Sequence, residues 1–117
     1  MLVICWSAKG GVGTTVVTAS LAVLAARRES TVVVDLGGDL PAALGVGVPP
    51  GPGVDAWLDA PAAPADGLAR LGLSVSPDLH LVHRGQPPHR PLTAESWRRL
   101  LAAWQTTAAL VVVDAGA

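Results

Sequence analysis

The chain has 117 residues, half of them hydrophobic, and a formal net charge of −1. This length allows one domain at most, and the apolar content indicates a folded rather than a disordered protein. The chain contains no run of Lys or Arg, so it carries no direct nucleic-acid signature. Its N-terminus does not resemble a signal peptide, and no apolar stretch is long enough to form a transmembrane segment. We therefore expect a cytoplasmic protein.

The first third of the chain contains two apolar runs with one helical pattern between them. Residues 2–6 form an apolar run before a Gly-rich loop, which predicts a buried strand. The single cysteine, Cys5, lies in this run, and we expect it to be a buried free thiol in a reducing compartment. Residues 15–28 are rich in Ala, Leu and Val and predict a helix with two arginines in its last turn. Residues 31–36 are mostly β-branched and predict a second buried strand.

The middle of the chain is rich in proline. Residues 41–67 contain six of the ten prolines, and we expect most of this segment to be loop. One or two helical turns are predicted at 54–59, with Trp57 and Leu58 facing the core. Residues 79–83 predict a third strand.

The last third predicts a capped helix and a fourth strand. Thr93 can cap a helix over 94–105, whose apolar residues recur at helical spacing and form one stripe. The stripe consists of Trp97, Leu100, Leu101 and Trp104. Residues 109–114 predict the fourth strand. About four apolar strands alternating with helices indicate an α/β fold, with a parallel sheet and helices on both faces.

The most informative segment is the Gly-rich loop after the first strand. A strand followed by such a loop and a helix is the context of a phosphate-binding loop. Glycines let backbone N–H groups approach an anion, and the helix start adds about half a positive charge. The sequence therefore predicts that the nucleotide phosphates bind to Lys9, Gly10, Gly11, Val12, Gly13, Thr14 and Thr15. The alternative is an ordinary Gly-rich turn, but Lys9 is the only lysine in the chain.

This loop resembles the deviant phosphate loop of the ParA/MinD family of ATPases, whose signature lysine precedes a glycine pair. The common pattern G-x-x-x-x-G-K-[ST] is not met, because Ala8 replaces its first glycine and Thr14 replaces its lysine. The version KGGVGTT is similar to the CpaE/TadZ branch, which is linked to pilus-assembly localisation. The resemblance extends over the whole chain and implies a P-loop NTPase-like fold with ATP and Mg²⁺ as cofactors.

The resemblance also implies a magnesium site. Its expected ligands are the hydroxyl of Thr15, the acidic end of the second strand at Asp35, and Asp114 at the end of a strand resembling Walker B. MinD-like ATPases carry a further aspartate that positions the attacking water, and Gly37 occupies that position here. Asp39 is a candidate substitute at the wrong spacing, and the simpler interpretation is a turn or cap residue.

Three functions are compatible with these features. The first is an ATP-binding switch or localisation protein with weak or no hydrolysis, and the second is a slow ATPase of the same family. The third is a degenerate fragment that binds no ligand. Thr14 and Gly37 favour binding over turnover, and the sequence leaves the enzymatic status open. It also leaves open whether the process is partitioning, division-site placement or pilus placement.

The resemblance carries two further expectations. Family members continue well past Walker B, so residues 1–117 correspond to the N-terminal portion of the family's nucleotide-binding domain, without the base-recognition segment. In the family the lysine at the position of Lys9 reaches the partner subunit's nucleotide, which implies a nucleotide-dependent homodimer.

The histidines add no metal site, because His80 and His83 point to opposite faces of a strand. His89 is expected to be solvated.

Overall fold

The computed structural model describes residues 1–8, 12–47, 49–60 and 62–116, and only the backbone of Val12. Within these ranges the chain forms an α/β fold of five strands and five helices. In chain order these are β1 Leu2–Cys5, α1 Val12–Ala25, β2 Thr31–Asp35, α2 Leu40–Ala43, α3 Val54–Leu58, α4 Ala65–Ala69, β3 Leu73–Ser76, β4 Leu79–Val82, α5 Ala94–Gln105 and β5 Leu110–Asp114. The sheet has the order β1-β5-β2-β4-β3.

The sheet is mostly parallel, as the sequence predicts. β1, β5, β2 and β4 run parallel and correspond to the four predicted strands. The expectation of about four strands misses β3, which pairs antiparallel with β4 at one edge. β3 reads LSVS, and its two serines are exposed. This strand has too few apolar residues to give the buried-strand signal of the other four.

Helices cover both faces of the sheet. Alternating residues of β2 contribute to two separate hydrophobic clusters, with Val33 in one and Val34 in the other. The Val33 cluster includes residues of α1 and α2, whereas the Val34 cluster includes residues of α3, α4 and α5. The predicted arrangement of a sheet between two helical layers is confirmed.

The capped helix after Thr93 is confirmed as α5. The Thr93 side chain accepts a hydrogen bond from the backbone N–H of Ser96 at 3.1 Å. Leu100 and Trp104 are buried, and the other two members of the stripe pack against the same cluster. The stripe therefore faces the sheet, as its spacing predicts.

The proline-rich middle contains more helix than predicted. The expected turns at 54–59 are confirmed as α3, with Trp57 buried and its indole N–H donating to the Pro64 carbonyl at 3.0 Å. The prediction of mostly loop overlooks α2 and α4, which have four and five residues. Helices this short give no detectable periodicity, because they complete only about one turn.

The prediction of a buried first strand is wrong in part. β1 is the last strand of the sheet on one side, and Ile4 and Trp6 are exposed. Cys5 is a free cysteine, but it is partly exposed rather than buried. A run of apolar residues does not reveal whether its strand lies at the edge, because sheet order decides that.

Helix α1 begins and ends three residues earlier than predicted. It ends at Ala25, so Arg27 and Arg28 lie in the turn that follows rather than in its last turn. The earlier start places Thr14 and Thr15 within the first helical turn. Across the described ranges, no helix combines the length and the apolar character needed to cross a membrane.

Candidate functional site

The candidate site lies at the carboxyl ends of β2 and β5. Asp35 and Asp114 are direct register partners on these neighbouring parallel strands, and both are buried. The hydroxyl of Thr15, in the first turn of α1, donates a hydrogen bond to Oδ2 of Asp114 at 2.9 Å. The structure therefore brings together the three residues that the sequence nominates as magnesium ligands.

Backbone N–H groups hold both carboxylates in place. Gly38 N–H donates to Oδ1 of Asp35 at 2.7 Å, and Gly116 N–H donates to Oδ1 of Asp114 at 3.0 Å. Burial raises the pKa of Asp35 above its ordinary value, the Gly38 N–H opposes this shift, and the nearby charge of Asp114 adds to it. Two buried carboxylates that repel each other favour a cation between them.

Thr15, which donates to Asp114, lines an open cleft of about 510 Å³, as do Leu36 and Ala115, the residues that follow the two buried aspartates in sequence. This volume lies in the range of small-molecule sites, which is roughly 300 to 1,000 Å³. Both polar and apolar side chains line the cleft. They include Thr14, Thr15, Asp39, Arg84 and Trp97. A ligand in this cleft would therefore meet the start of α1 and the ends of the central strands together.

Part of the predicted phosphate loop lies outside the described residues. Lys9, Gly10 and Gly11 belong to this part, and the structure gives only the backbone of Val12. Of the rest, Gly13 is exposed and Thr14 is half-buried at the start of α1. The geometry of phosphate contacts in the loop thus stays a prediction, whereas Thr14 and Thr15 do line the cleft.

Gly37 and Asp39 both line the cleft, at different places. A Cβ added at Gly37 would lie 3.6 Å from both carboxylate oxygens of Asp114. The Cβ of an acidic side chain at position 37 would therefore lie next to the buried carboxylate of Asp114. Asp39 is exposed and occupies the N-cap position of α2, but its side chain makes no capping hydrogen bond and lines the cleft instead.

Sequence reasoning missed Arg84, a buried cation two residues after the end of β4. Its Nε donates to Oδ1 of Asp55 at 2.8 Å, and its Nη1 donates to the Leu36 carbonyl at 3.0 Å. Its Nη2 donates to the carbonyl of Arg90. The available signal was a charged residue two positions after an apolar strand.

The histidines do not form a metal centre with the other candidate ligands. In the described part of the chain, no group of three or more His, Cys, Asp or Glu side chains is arranged to hold a metal. The expectation that His89 is solvated is wrong in part, because its Nδ1 lies 3.0 Å from Oδ2 of Asp55. His83 is buried and its Nε2 has no partner among the described residues.

The comparisons with known proteins support the fold. No protein-family model matches the chain, and no curated protein sequence matches it. Among solved structures, the chain is similar to a ParA family ATPase from Chlorobium tepidum TLS, with a TM-score of 0.65 and 21% sequence identity. The match covers 99% of this chain and 51% of that protein, so this chain spans about half of its length. At this identity, the likeness establishes a ParA-like α/β fold.

Proposed function

We propose that this chain is a ParA-like nucleotide-binding domain that holds ATP and Mg²⁺. In this proposal the loop from Lys9 to Thr15 binds the phosphates, and Thr15, Asp35 and Asp114 hold the metal ion. The observation that carries it is the 2.9 Å hydrogen bond from Thr15, a residue of the cleft lining, to Asp114, whose neighbour in the sheet is the buried Asp35.

The chemistry of these three residues suits magnesium. Mg²⁺ usually takes one or two protein carboxylates and completes its octahedron with water and substrate phosphates. A pair of carboxylates and one hydroxyl therefore suffices when a nucleotide supplies the remaining oxygens. The helix start beside them favours the phosphate charge. The fold is also shared with a protein described as an ATPase.

Thermal unfolding with and without millimolar ATP and Mg²⁺ tests the proposal. Ligand at about 100 times its dissociation constant stabilises the native state by roughly 2.7 kcal/mol. For a domain of about this size, we expect a rise of several degrees in Tm. The rise should disappear with EDTA and in Asp114→Asn. An unchanged Tm of the native chain would contradict nucleotide binding.

We further propose a switch or localisation role in the cytoplasm, of the CpaE/TadZ type, with weak or no hydrolysis. Phosphoryl transfer depends on positioned positive charge and a positioned water. Thr14 lacks the charge of the usual loop lysine, and Gly37 lacks a carboxylate. Restoring the charge with Thr14→Lys should tighten nucleotide binding. Turnover at ordinary ATPase rates in the native chain, lost in Asp35→Ala, would contradict the weak-hydrolysis proposal.

A slow ATPase is the second candidate, and the position of Asp39 favours it. This exposed carboxylate lines the same cleft as Thr15, although it stands two residues beyond Gly37. Asp39 would then orient the attacking water. Single-turnover measurements on native protein and Asp39→Asn distinguish the candidates. A slow rate that falls at least tenfold in the variant supports hydrolysis, and equal rates remove Asp39 from the mechanism.

We also propose that Lys9 acts across a nucleotide-dependent homodimer. Two-fold symmetry would let each subunit's lysine contact the other subunit's nucleotide. Sedimentation with and without ATP and Mg²⁺ tests this, and we expect nucleotide to shift the native chain toward a dimer. Lys9→Ala should stay monomeric under the same conditions. A dimer that forms equally well in the variant would argue against a trans-acting lysine.

A further inference from the structure

Arg84 lines the cleft, and its charged end is bonded to the cleft wall. Two of its hydrogen-bond acceptors are the carbonyls of Leu36 and Arg90. Leu36 and Pro91, the residue after Arg90, both line the cleft. The guanidinium is therefore fixed between two segments of the cleft wall, and Arg84 itself is part of the lining.

The guanidinium keeps hydrogen-bonding capacity after its internal contacts are made. Nε and both Nη atoms each make one hydrogen bond, but each Nη carries a second N–H. The planar arrangement of these donors matches phosphate oxygens better than a lysine ammonium does. Arg84 can thus bind an anion without leaving Asp55.

The positive charge of Arg84 suits it to contact a phosphate of a bound nucleotide. Among the described residues that line the cleft, Arg84 is the one cation. In the proposed complex, the carboxylates of Asp35 and Asp114 would hold Mg²⁺. The phosphate farthest from the nucleoside carries the largest negative charge, and Thr14 leaves the loop without its usual cation.

We propose that Arg84 contacts the terminal phosphate of a bound nucleoside triphosphate and makes the site prefer triphosphate over diphosphate. This inference rests on the proposed function. Mg²⁺ commonly bridges the two outer phosphates, and its proposed ligand Thr15 lines the same cleft as Arg84. Arg84 then supplies, from the end of β4, the positive charge that the loop lacks at Thr14.

Calorimetric titration with Mg²⁺–ATP and with Mg²⁺–ADP tests the proposal. We expect Arg84→Gln to weaken ATP binding by about 10- to 100-fold, which is the range for loss of a charge-assisted hydrogen bond. ADP binding should weaken by less than about threefold, because the contact involves the terminal phosphate. Arg99→Gln is the matched control, since Arg99 bonds to the Leu58 carbonyl and packs over Trp57 away from the cleft lining.

A second variant, Asp55→Asn, keeps the inference testable if Arg84→Gln does not fold. Asp55→Asn removes the carboxylate that partly neutralises Arg84 but keeps an oxygen that can accept its Nε–H. We expect this variant to bind Mg²⁺–ATP more tightly and Mg²⁺–ADP unchanged. Equal changes for both nucleotides in Arg84→Gln and Asp55→Asn would overturn the inference while leaving nucleotide binding intact. Failure of the native chain to bind either nucleotide would overturn the proposed function itself.

Discussion

The two charged parts of the candidate site are built in different ways. The acidic part consists of Asp35 and Asp114, which parallel register places side by side and which have no cationic partner among the described residues. The basic part consists of Arg84, whose charge is balanced by Asp55. The acidic part therefore has no balancing cation within the described residues, whereas Asp55 balances the charge of Arg84, which keeps spare donors. This contrast underlies the proposal that the site holds a metal-bound anion.

The largest effect is expected from breaking the basic part. Arg84→Ala removes the donor to Oδ1 of Asp55 and to two carbonyls, while Oδ2 of Asp55 keeps its contact with Nδ1 of His89. Removing one partner of a fully buried ion pair costs about 3 to 5 kcal/mol. We expect about 2 to 4 kcal/mol here, because the Asp55 side chain is 25% exposed. Urea denaturation measures the loss.

Arg98→Ala is the control for this prediction. Arg98 pairs with Glu95 on α5, and both side chains are 70% exposed. Exposed pairs of this kind contribute about 0 to 1 kcal/mol. If Arg84→Ala were as stable as Arg98→Ala, the hydrogen bonds of Arg84 to Asp55, Leu36 and Arg90 would contribute little to stability, and this prediction would be wrong.

The next effect tests the contact between α1 and the acidic part. Thr15→Val keeps the side-chain shape but removes the hydroxyl that donates to Asp114. Hydrogen bonds to charged groups contribute about 1.5 to 3 kcal/mol. We expect the lower end, because the Gly116 N–H still donates to Asp114. Thr15→Ser retains the donor and should stay within about 0.5 kcal/mol of the native chain. Equal stability of the two variants would argue against this contact.

The acidic and basic parts of the site also differ in how well the sequence predicts them. The family resemblance nominated Asp35 and Asp114, because each ends a strand that is similar to one of the family's motifs, and the parallel register places the two residues side by side. Thr15 was predictable from the loop pattern. Arg84 was not, because its partners Asp55 and Leu36 are 29 and 48 residues away in sequence. Contacts of this range depend on sheet order, which also decided the exposure of β1 and the addition of β3.

A smaller effect tests how firmly α5 supports the cleft. Trp97 lines the cleft one turn after the Thr93 cap. Thr93→Ala removes the acceptor for the Ser96 N–H and should destabilise the protein by about 1 kcal/mol. Thr93→Ser preserves the cap and should match the native chain. Tryptophan fluorescence during unfolding measures both. No loss in Thr93→Ala would mean that packing against the sheet fixes the helix start without the cap.

The smallest effect, and the only gain in stability, is expected from Asp35→Asn without metal. Burial raises the pKa of Asp35 above the ordinary value of 3.8, so the ionised carboxylate is disfavoured in the folded chain. The native chain therefore loses stability as pH rises from about the ordinary value through the raised folded pKa. The N–H groups of Gly38, Leu40 and Gly37 oppose the shift, which keeps the effect small. Asparagine removes the charge and still accepts the Gly38 N–H.

Urea denaturation at neutral pH in EDTA should show the Asp35→Asn variant to be more stable than the native chain. This advantage should vanish at a pH low enough to protonate the native Asp35. With Mg²⁺–ATP the order should reverse, because the variant loses a proposed metal ligand. Asp39→Asn, at an exposed position, is the control and should change little. A variant less stable than the native chain at neutral pH without metal would show that the acidic part needs no external cation.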